Sequence, residues 1–246
     1  MKYMGSKNRI AKYLLPIILK DRKEGQWYVE PFVGGANMID KVEGNRIGAD
    51  SNEYLIAMWQ ELQKGWIPPD FVEEELWKDV KVQMNNKYPK HYIAFVRLGC
   101  SFGADWNGGY ARNVRKDKPD AEILNSTTKS YCRQSKNNIL KQSPLLKGVK
   151  FIHSSYQDLE IPPQSIIYCD PPYENTTKYK DGFDHLAFWE WCRNKSKEGH
   201  QVFISEYRAP EDFECVWEGI VNNSLNNQSE IKITTEKLFK YKGETN

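Results

Sequence analysis

The stretch Trp27–Ala36, WYVEPFVGGA, joins a run of aromatic and β-branched residues to a glycine-rich turn. The run predicts a buried strand over 27–32, and the two glycines predict a tight turn into a short helix, 37–42. Arg46–Asp50 repeats the pattern as a second apolar strand that ends on an acid. Because helices are predicted before and after these strands, over 6–20 and 52–64, the alternation indicates an α/β fold with a parallel sheet.

The rest of the chain continues this alternation after a long interruption. Residues 65–148 carry few β-branched runs and predict helices together with a long polar loop, 103–119, whereas strands resume at 149. We therefore predict one α/β domain formed by 1–64 and 149–246, and an inserted, mainly helical domain formed by 65–148. The further predicted elements are the helices 71–80, 92–99, 135–140 and 183–196 and the strands 149–153, 165–169, 201–205, 213–221 and 230–238.

The overall composition counts against several classes of protein. No apolar run reaches the roughly 20 residues that a membrane span needs, and the N-terminus has no apolar signal core, so we expect a cytoplasmic protein without membrane contact. The five cysteines are widely spaced, with no C-x-x-C pair, which predicts reduced thiols and no metal site. The formal net charge is only +2, but basic residues outnumber acidic ones between Arg97 and Lys150, as a phosphate-binding surface requires.

The motif Asp170–Tyr173, DPPY, directly follows the apolar run 166–169. Ligands of parallel α/β sheets bind beyond the carboxyl ends of the strands, so this motif is placed where chemistry occurs. Asp170 and the Pro171 carbonyl can accept both N–H groups of an exocyclic amine, while Tyr173 offers a face on which a base can stack. The pattern favours attack of an amino nitrogen on a methyl sulfonium; a proline turn beside an incidental acid is the alternative.

The turn Glu30–Ala36 has the glycines that let a backbone approach a ligand closely. It lacks the G-x-G-x-x-G spacing of a dinucleotide site and the G-K-[ST] of a phosphate loop, which counts against ATP. Asp50 lies 20 residues after Glu30, at the end of the next strand, where an acid can accept hydrogen bonds from ribose hydroxyls. The alternative role for Asp50 is to cap the helix 52–64.

Four motifs stand in order along the chain: KYMGSK at 2–7, EPFVGGA at 30–36, a strand ending on Asp50, and DPPY at 170–173. Together they resemble the DNA N6-adenine methyltransferases of the Dam class, the alpha-type (D12 class) amino-methyltransferases in which the recognition domain lies in the middle of the chain. The resemblance spans nearly the whole sequence. It implies a Rossmann-like, S-adenosylmethionine-dependent methyltransferase sheet with an inserted target-recognition domain, double-stranded DNA as partner, and a setting such as restriction–modification.

The resemblance also implies roles for the matched positions. Tyr3 and Lys7 match the motif that contacts the methionine part of the cofactor and borders the target base. Tyr156 falls where the family places an aromatic ring against the cofactor adenine, and Ser155 stands where members often carry Asp. The implied catalytic residues are Asp170, Pro171, Pro172 and Tyr173, and the implied cofactor-binding residues are Tyr3, Lys7, Glu30, Pro31, Phe32, Gly34, Gly35, Asp50, Tyr156 and Asp170.

The segment Cys100–Asn113 resembles the DNA-contacting region of the family in position, and it is rich in Gly, Asn and Arg. Basic side chains there can neutralise phosphates, while amides such as that of Gln134 can read adenine edges. For each residue, phosphate contact or plain solvation is the alternative to base recognition. The residues that we expect at the DNA are Arg97, Asn107, Tyr110, Arg112, Asn113, Arg115, Lys116 and Arg133.

The amino group of a base stacked in a duplex is out of reach, so the implied mechanism includes extrusion of the adenine at a cost of a few kcal/mol. An N4-cytosine methyltransferase would use the same amine chemistry but more often carries Ser in place of Asp170, and enzymes acting on RNA or a glutamine amide more often carry Asn. A catalytically silent DNA-binding relative is a further alternative, which the intact set of Lys7, Asp50 and Asp170 opposes. The recognised DNA word, a companion restriction enzyme, a bacterial or viral origin and the oligomeric state stay open.

Overall fold

A computed structural model describes residues 1–84, 87–111, 131–174, 182–223 and 232–243. The described residues form a sheet of seven strands: β1 Tyr28–Glu30, β2 Arg46–Asp50, β3 Lys150–His153, β4 Ile166–Cys169, β5 Gln201–Glu206, β6 Phe213–Asn223 and β7 Lys232–Tyr241. Their order across the sheet is β3-β2-β1-β4-β5-β7-β6. Every strand predicted from the sequence is present, with ends that differ by a few residues.

The centre of the sheet is parallel and its far edge is antiparallel. β1 pairs in parallel with both β2 and β4, and β4 pairs in parallel with β5. β7 runs antiparallel to β5 and to β6, with a register shift in β6 between Cys215 and Trp217. The central strands are buried along almost their whole length, as strands of parallel sheets covered by helices are. This is a mixed, Rossmann-like α/β sheet, and the predicted fold class is confirmed.

The described residues also form short α-helices and 3-10 turns. Among the described residues, no helix is both long and apolar enough to cross a membrane. Short 3-10 turns occur at Lys7–Arg9, Ile39–Lys41, Phe102–Ala104 and Ser143–Leu146. The α-helices are α1 Ala11–Ile18, α2 Glu53–Gln63, α3 Glu74–Gln83, α4 Lys90–Ala94, which continues as a π-helical turn over Phe95–Gly99, α5 Tyr131–Gln142 and α6 His185–Lys197.

Two helix starts differ from the sequence prediction for reasons visible in the structure. The helix predicted from residue 6 begins only at Ala11, because the preceding residues form a turn closed by the Ser6 N–H on the Tyr3 carbonyl and then a 3-10 segment. The helix predicted from residue 71 begins at Glu74. Here the carbonyl of Val72 accepts a hydrogen bond of 2.7 Å from the Tyr110 phenol instead of starting the helix.

Residue contacts divide the chain into two compact units, each assembled from separate segments. The first unit comprises 1–7, 34–41 and 52–153 and includes α2 to α5 and β3. The second comprises 8–33, 42–51 and 154–246 and includes α1, α6 and the other six strands. The division of the chain into a catalytic part (1–64 with 149–246) and a target-recognition part (65–148) assigns function to segments, and it stays a prediction.

Helix α2 depends on a side-chain cap. Asn52 Oδ1 accepts hydrogen bonds of 3.1 Å from the backbone N–H groups of Tyr54 and Leu55. We expect Asn52→Ala to lower the free energy of unfolding by about 1 kcal/mol, because both N–H groups lose this acceptor. Chemical denaturation measures the change, and Asn52→Asp is the control, since it keeps an acceptor and should retain most of the stability. Equal losses in both variants would contradict the capping role.

Candidate active site

The carboxyl ends of β1 and β4 lie next to each other in the second unit, where the strand order of the sheet reverses. β1 ends at Glu30 and leads into Pro31 and Phe32, while β4 ends at Cys169 and leads into Asp170. A reversal of this kind opens a crevice in which the ligands of open α/β sheets bind. Two of the motifs selected from the sequence thus meet at one edge of the sheet.

Two strands that end at this edge, β1 and β4, each carry a buried tyrosine. The Tyr28 phenol donates a hydrogen bond of 2.9 Å to Oε1 of the buried Glu30. The Tyr168 phenol shares a hydrogen bond of 2.8 Å with the Ser205 hydroxyl. Burial raises the pKa of Tyr28 and that of Tyr168 well above the usual value for a tyrosine. The charges of nearby carboxylates add to this shift. Both phenols therefore stay protonated, and Tyr28 acts as a fixed hydrogen-bond donor to Glu30.

The DPPY turn is held through its tyrosine. The Tyr173 phenol donates to Oε2 of Glu236 on β7 at 2.7 Å, and the Tyr173 ring meets Tyr207 edge to face with centroids 4.6 Å apart. Burial, followed by the charges of Asp170 and Glu236, raises the pKa of Tyr173 well above its usual value. The phenol is thus a permanent donor, and the ring orientation is set by contacts with β7 and with the residue that follows β5.

β5 ends at Glu206, a carboxylate with only 2% of its surface exposed. One oxygen accepts the backbone N–H of Tyr207 at 2.8 Å, and the other accepts the backbone N–H of Glu174 at 3.2 Å. Burial raises the pKa of Glu206 to about 7; the two backbone hydrogen bonds oppose this shift, and the charge of Asp170 adds to it. A carboxylate that titrates near neutral pH is therefore bonded to the residue directly after Tyr173.

An aromatic cluster follows Phe32 in the second unit. The rings of Phe32 and Tyr156 have centroids 5.4 Å apart, and Phe183 and Phe188 lie within 6 Å of both. The Trp191 ring meets Tyr156 edge to face at 5.3 Å, and its Nε1–H is buried without an acceptor in the part of the chain that the structure describes. Most of these rings meet at steep angles and the Trp191 Nε1–H is itself buried, so the cluster is a packed aromatic core in which Phe32 is half-buried.

Asp50 and the segment after β3 are further parts of the second unit to which the sequence assigns cofactor contacts. Asp50 is half-buried at the end of β2, and its backbone carbonyl accepts the Ser154 N–H at 3.2 Å. The cap of α2 is Asn52, so the alternative role considered for Asp50 falls to a different side chain. The Ser155 hydroxyl donates to Oδ2 of Asp158 at 2.6 Å and accepts the Asp158 N–H, and Ser155 thereby closes a turn.

In the first unit the N-terminal motif packs on the glycine pair. A Cβ atom on Gly34 would lie 2.8 Å from Cε1 of Tyr3, and one on Gly35 would lie 2.6 Å from Cβ of Tyr3. The close approach that the glycines permit is thus made by Tyr3 itself. Lys7 is buried in the same unit, and its ammonium donates to the Gly5 carbonyl at 2.9 Å. Tyr3, Gly34 and Gly35 therefore form one contact group, which the sequence analysis did not predict.

The structure corrects the expectation for Arg97. Only 4% of this residue is exposed, its Nε donates to the backbone carbonyl of Trp106 at 3.0 Å, and its guanidinium lies over the Trp106 ring at 5.2 Å. Burial lowers the pKa of Arg97. A guanidinium enclosed in this way holds the loop 101–110 in place and is not presented to a phosphate group.

The other residues expected at the DNA have varied surroundings. Tyr110 is anchored through its phenol to Val72, Asn107 is exposed on the same loop, and Arg133 lies 3.6 Å from the Asp70 carboxylate. The loop is closed by a bridge between Ser101 and Tyr110. Their part in DNA contact stays a prediction. Four of the expected residues lie outside the described part of the chain: Arg112, Asn113, Arg115 and Lys116.

Several residues of the site were missed in the sequence. Glu206 sits at the carboxyl end of a predicted strand, so the rule that selected Asp50 and Asp170 would have found it had the strand been extended by one residue. Glu236 comes from an antiparallel strand, where no local pattern marks a site residue. Among the described residues, no group of three or more His, Cys, Asp and Glu side chains is arranged to hold a metal ion.

In open α/β sheets of this kind, nucleotides bind beyond the carboxyl ends of the strands at the switch point. The model of the D12 class N6 adenine-specific DNA methyltransferase family matches residues 3–128, just over half of the chain. The chain therefore belongs to this family. It is an adenine-specific DNA methyltransferase, and its methyl donor is S-adenosylmethionine. The matched range includes Tyr3, Lys7, the glycine turn and Asp50, whereas DPPY lies beyond it.

Two solved structures align with most of this chain at low similarity. The tRNA (m1A58) methyltransferase TrmI from Aquifex aeolicus aligns with 95% of this chain and 69% of its own, at 12% identity and a TM-score of 0.40. A putative methyltransferase complexed with SAH aligns with 98% of this chain and 53% of its own, at 12% identity and a TM-score of 0.34. No curated protein matches the chain significantly. At these TM-scores the alignments do not bear on function.

The contact between Gly34 and Tyr3 predicts a coupled effect on stability. Gly34→Ala places a methyl group 2.8 Å from the Tyr3 ring on a backbone with φ of +45°, so we expect the free energy of unfolding to fall by about 2–3 kcal/mol. In a Tyr3→Ala background only the positive-φ cost of about 1 kcal/mol should remain. Denaturation of the single and double variants measures this coupling. Gly109→Ala is the control, because its Cβ would meet no atom within 4 Å; strictly additive effects would contradict the steric account.

Proposed function

We propose that this protein is a site-specific methyltransferase that transfers a methyl group from S-adenosylmethionine to N6 of an adenine extruded from double-stranded DNA. The observation that carries the proposal is the DPPY turn at the end of β4, beside the end of β1, with Tyr173 anchored to Glu236. Membership of the adenine-specific family supports the target atom. Extrusion follows from the chemistry, because the amino group of a stacked base is out of reach.

The donor groups present fit the cofactor. Within the second unit, the Asp50 carboxylate suits ribose hydroxyls, and the half-buried Phe32 ring beside Tyr156 suits an adenine ring. Glu30 is fixed by the Tyr28 phenol at the same edge of the sheet. The remaining proposed cofactor contacts are Pro31, Tyr3, Lys7, Gly34, Gly35 and Asp170.

The proposed chemistry needs few groups from the protein. When bound, S-adenosylmethionine supplies an electrophilic methyl group on a positively charged sulfur that leaves as a neutral thioether. Asp170 accepts one N–H of the adenine amino group and the Pro171 carbonyl accepts the other, which localises the lone pair on N6. As the N6–carbon bond forms, the amino group loses the proton that Asp170 accepts, and this proton passes from the carboxylate to solvent. Tyr173 stacks on the extruded base, and Pro172 fixes the backbone between them.

The decisive experiment is transfer of tritium-labelled methyl groups to unmethylated double-stranded DNA, followed by identification of the methylated base and of its sequence context. We expect N6-methyladenine at one recurring word in cells that express the protein. N4-methylcytosine would overturn the assignment of the target base. No incorporation, with cofactor binding intact, would favour the alternative of a catalytically silent DNA-binding relative.

Asp170→Ala should reduce the rate of methyl transfer by at least about 10³-fold. The variant lacks the carboxylate that accepts the N–H of the adenine amino group in the transition state. Cofactor affinity should stay within about threefold of the wild type, which corresponds to less than 1 kcal/mol. Single-turnover transfer and calorimetric titration with the cofactor measure the two effects. Asp21→Ala, at an exposed acid in the second unit, is the matched control. Near-normal transfer by Asp170→Ala would exclude the proposed role.

Asp50→Ala should act on binding rather than on chemistry. Hydrogen bonds from hydroxyls to a carboxylate are worth about 1.5–3 kcal/mol, so the cofactor dissociation constant should rise by about 10–100-fold. The rate of transfer at saturating cofactor should change little. Asp50→Asn keeps one acceptor oxygen, and we expect an intermediate dissociation constant by calorimetry. An unchanged constant for Asp50→Ala would remove this residue from the site.

A further inference from the structure

A buried carboxylate with no part in the proposed chemistry connects β5 to the DPPY turn. Glu206 accepts the backbone N–H of Tyr207 through Oε1 at 2.8 Å and that of Glu174 through Oε2 at 3.2 Å. Glu174 directly follows Tyr173, so the second bond fixes the peptide at the end of the turn. The first bond fixes the residue whose ring touches Tyr173.

Tyr173 is therefore held at three places in the second unit. Its phenol donates to Glu236 at 2.7 Å, its ring meets Tyr207 at 4.6 Å, and its following peptide is bonded to Glu206. β5 and β7 are antiparallel neighbours, with Glu206 opposite Lys237. Two of the three restraints on the tyrosine thus pass through a single carboxylate, and that carboxylate is almost fully removed from solvent.

We propose that Glu206 is a positioning residue for methyl transfer, which as a carboxylate holds the backbone of Glu174 and Tyr207 and so fixes the ring on which the target base stacks. This inference rests on the proposed function of the DPPY turn. An ionised carboxylate has an acceptor on each oxygen, and each oxygen takes one N–H. In the neutral acid one oxygen carries a proton and is a poorer acceptor, so protonation of Glu206 releases part of the restraint on Tyr173.

The surroundings of Glu206 set the pH at which this release occurs. Asp170 after β4 and Glu174 after the turn disfavour its charge, while Glu236 and Lys237 are the charged neighbours on β7. On α6, which also packs on β5, Arg193 is paired with Asp212. Burial is the largest effect and brings the pKa of Glu206 to about 7. Methyl transfer should therefore slow as the pH falls through neutrality.

The test is the pH dependence of single-turnover transfer from about pH 5.5 to 8.5. The wild type should lose rate on the acid side with a midpoint near pH 7. Glu206→Gln, which mimics the neutral acid, should be slower at pH 8 by on the order of 10–100-fold and should lack this acid-side loss. Glu214→Gln, the same change at an exposed position on β6, should keep the wild-type profile.

Glu206→Asp is a second variant, and it can be tested even if the Glu206→Gln protein does not fold. It keeps a titratable group one methylene shorter, so we expect a lower plateau with the acid-side loss still present. The free energy of unfolding gives an independent readout: the folded wild type holds the Glu206 proton up to about pH 7, against 4.5 for the ordinary carboxyl, so its stability should fall as the pH rises through that window. Glu206→Gln should show a smaller fall.

The outcomes separate this inference from the proposed function. A wild-type protein that transfers no methyl groups at any pH would overturn the function of the DPPY turn itself. An active wild type without an acid-side loss near pH 7 would overturn the positioning role of Glu206, and this holds even if neither variant folds. A Glu206→Gln enzyme with the wild-type profile and rate would overturn it as well.

Discussion

The parallel pairing of β1 with β4 is the constraint on which the rest of the site depends. It aligns Tyr28 with Ile166 and Val29 with Ile167, and it therefore brings the ends of the two strands to the same edge. The strand order reverses at this pair, which in open α/β sheets is the place where ligands bind. Motifs that are 140 residues apart in the chain, at Glu30 and Asp170, become neighbours through backbone hydrogen bonds alone.

Three carboxylates of the second unit, Glu30, Glu206 and Glu236, are buried, and burial of a carboxylate is costly unless it accepts hydrogen bonds. The second unit gives these carboxylates neutral donors: Tyr28 for Glu30, Tyr173 for Glu236, and two peptide N–H groups for Glu206. A neutral donor brings no charge of its own into the interior, so it costs less to bury than a cation would.

Burial decided the cases in which residue type alone misled. Arg97 lies in a basic segment and was expected at a phosphate group, but its guanidinium is enclosed and bonded to Trp106. Gly34 and Gly35 are expected at the cofactor, and the structure shows that their lack of a side chain also makes room for Tyr3. Glu206 is missed because the predicted strand ends one residue earlier, and its contacts with Glu174 and Tyr207 are visible only in the folded chain. In each case the deciding quantity is contact with segments that are distant in sequence.

The sequence by itself determined the α/β class, the order of strands and helices, and the membership of the methyltransferase family. The class and the order of elements follow from local periodicity. The family follows from short motifs, such as DPPY after an apolar run, whose order and spacing are read directly from the sequence. Only the tertiary structure decided the strand order, the anchoring of Tyr173 by Glu236, and the placing of Glu206 against Glu174. The physical reason is that hydrogen bonds, desolvation and steric exclusion between distant segments exist only after the chain has folded.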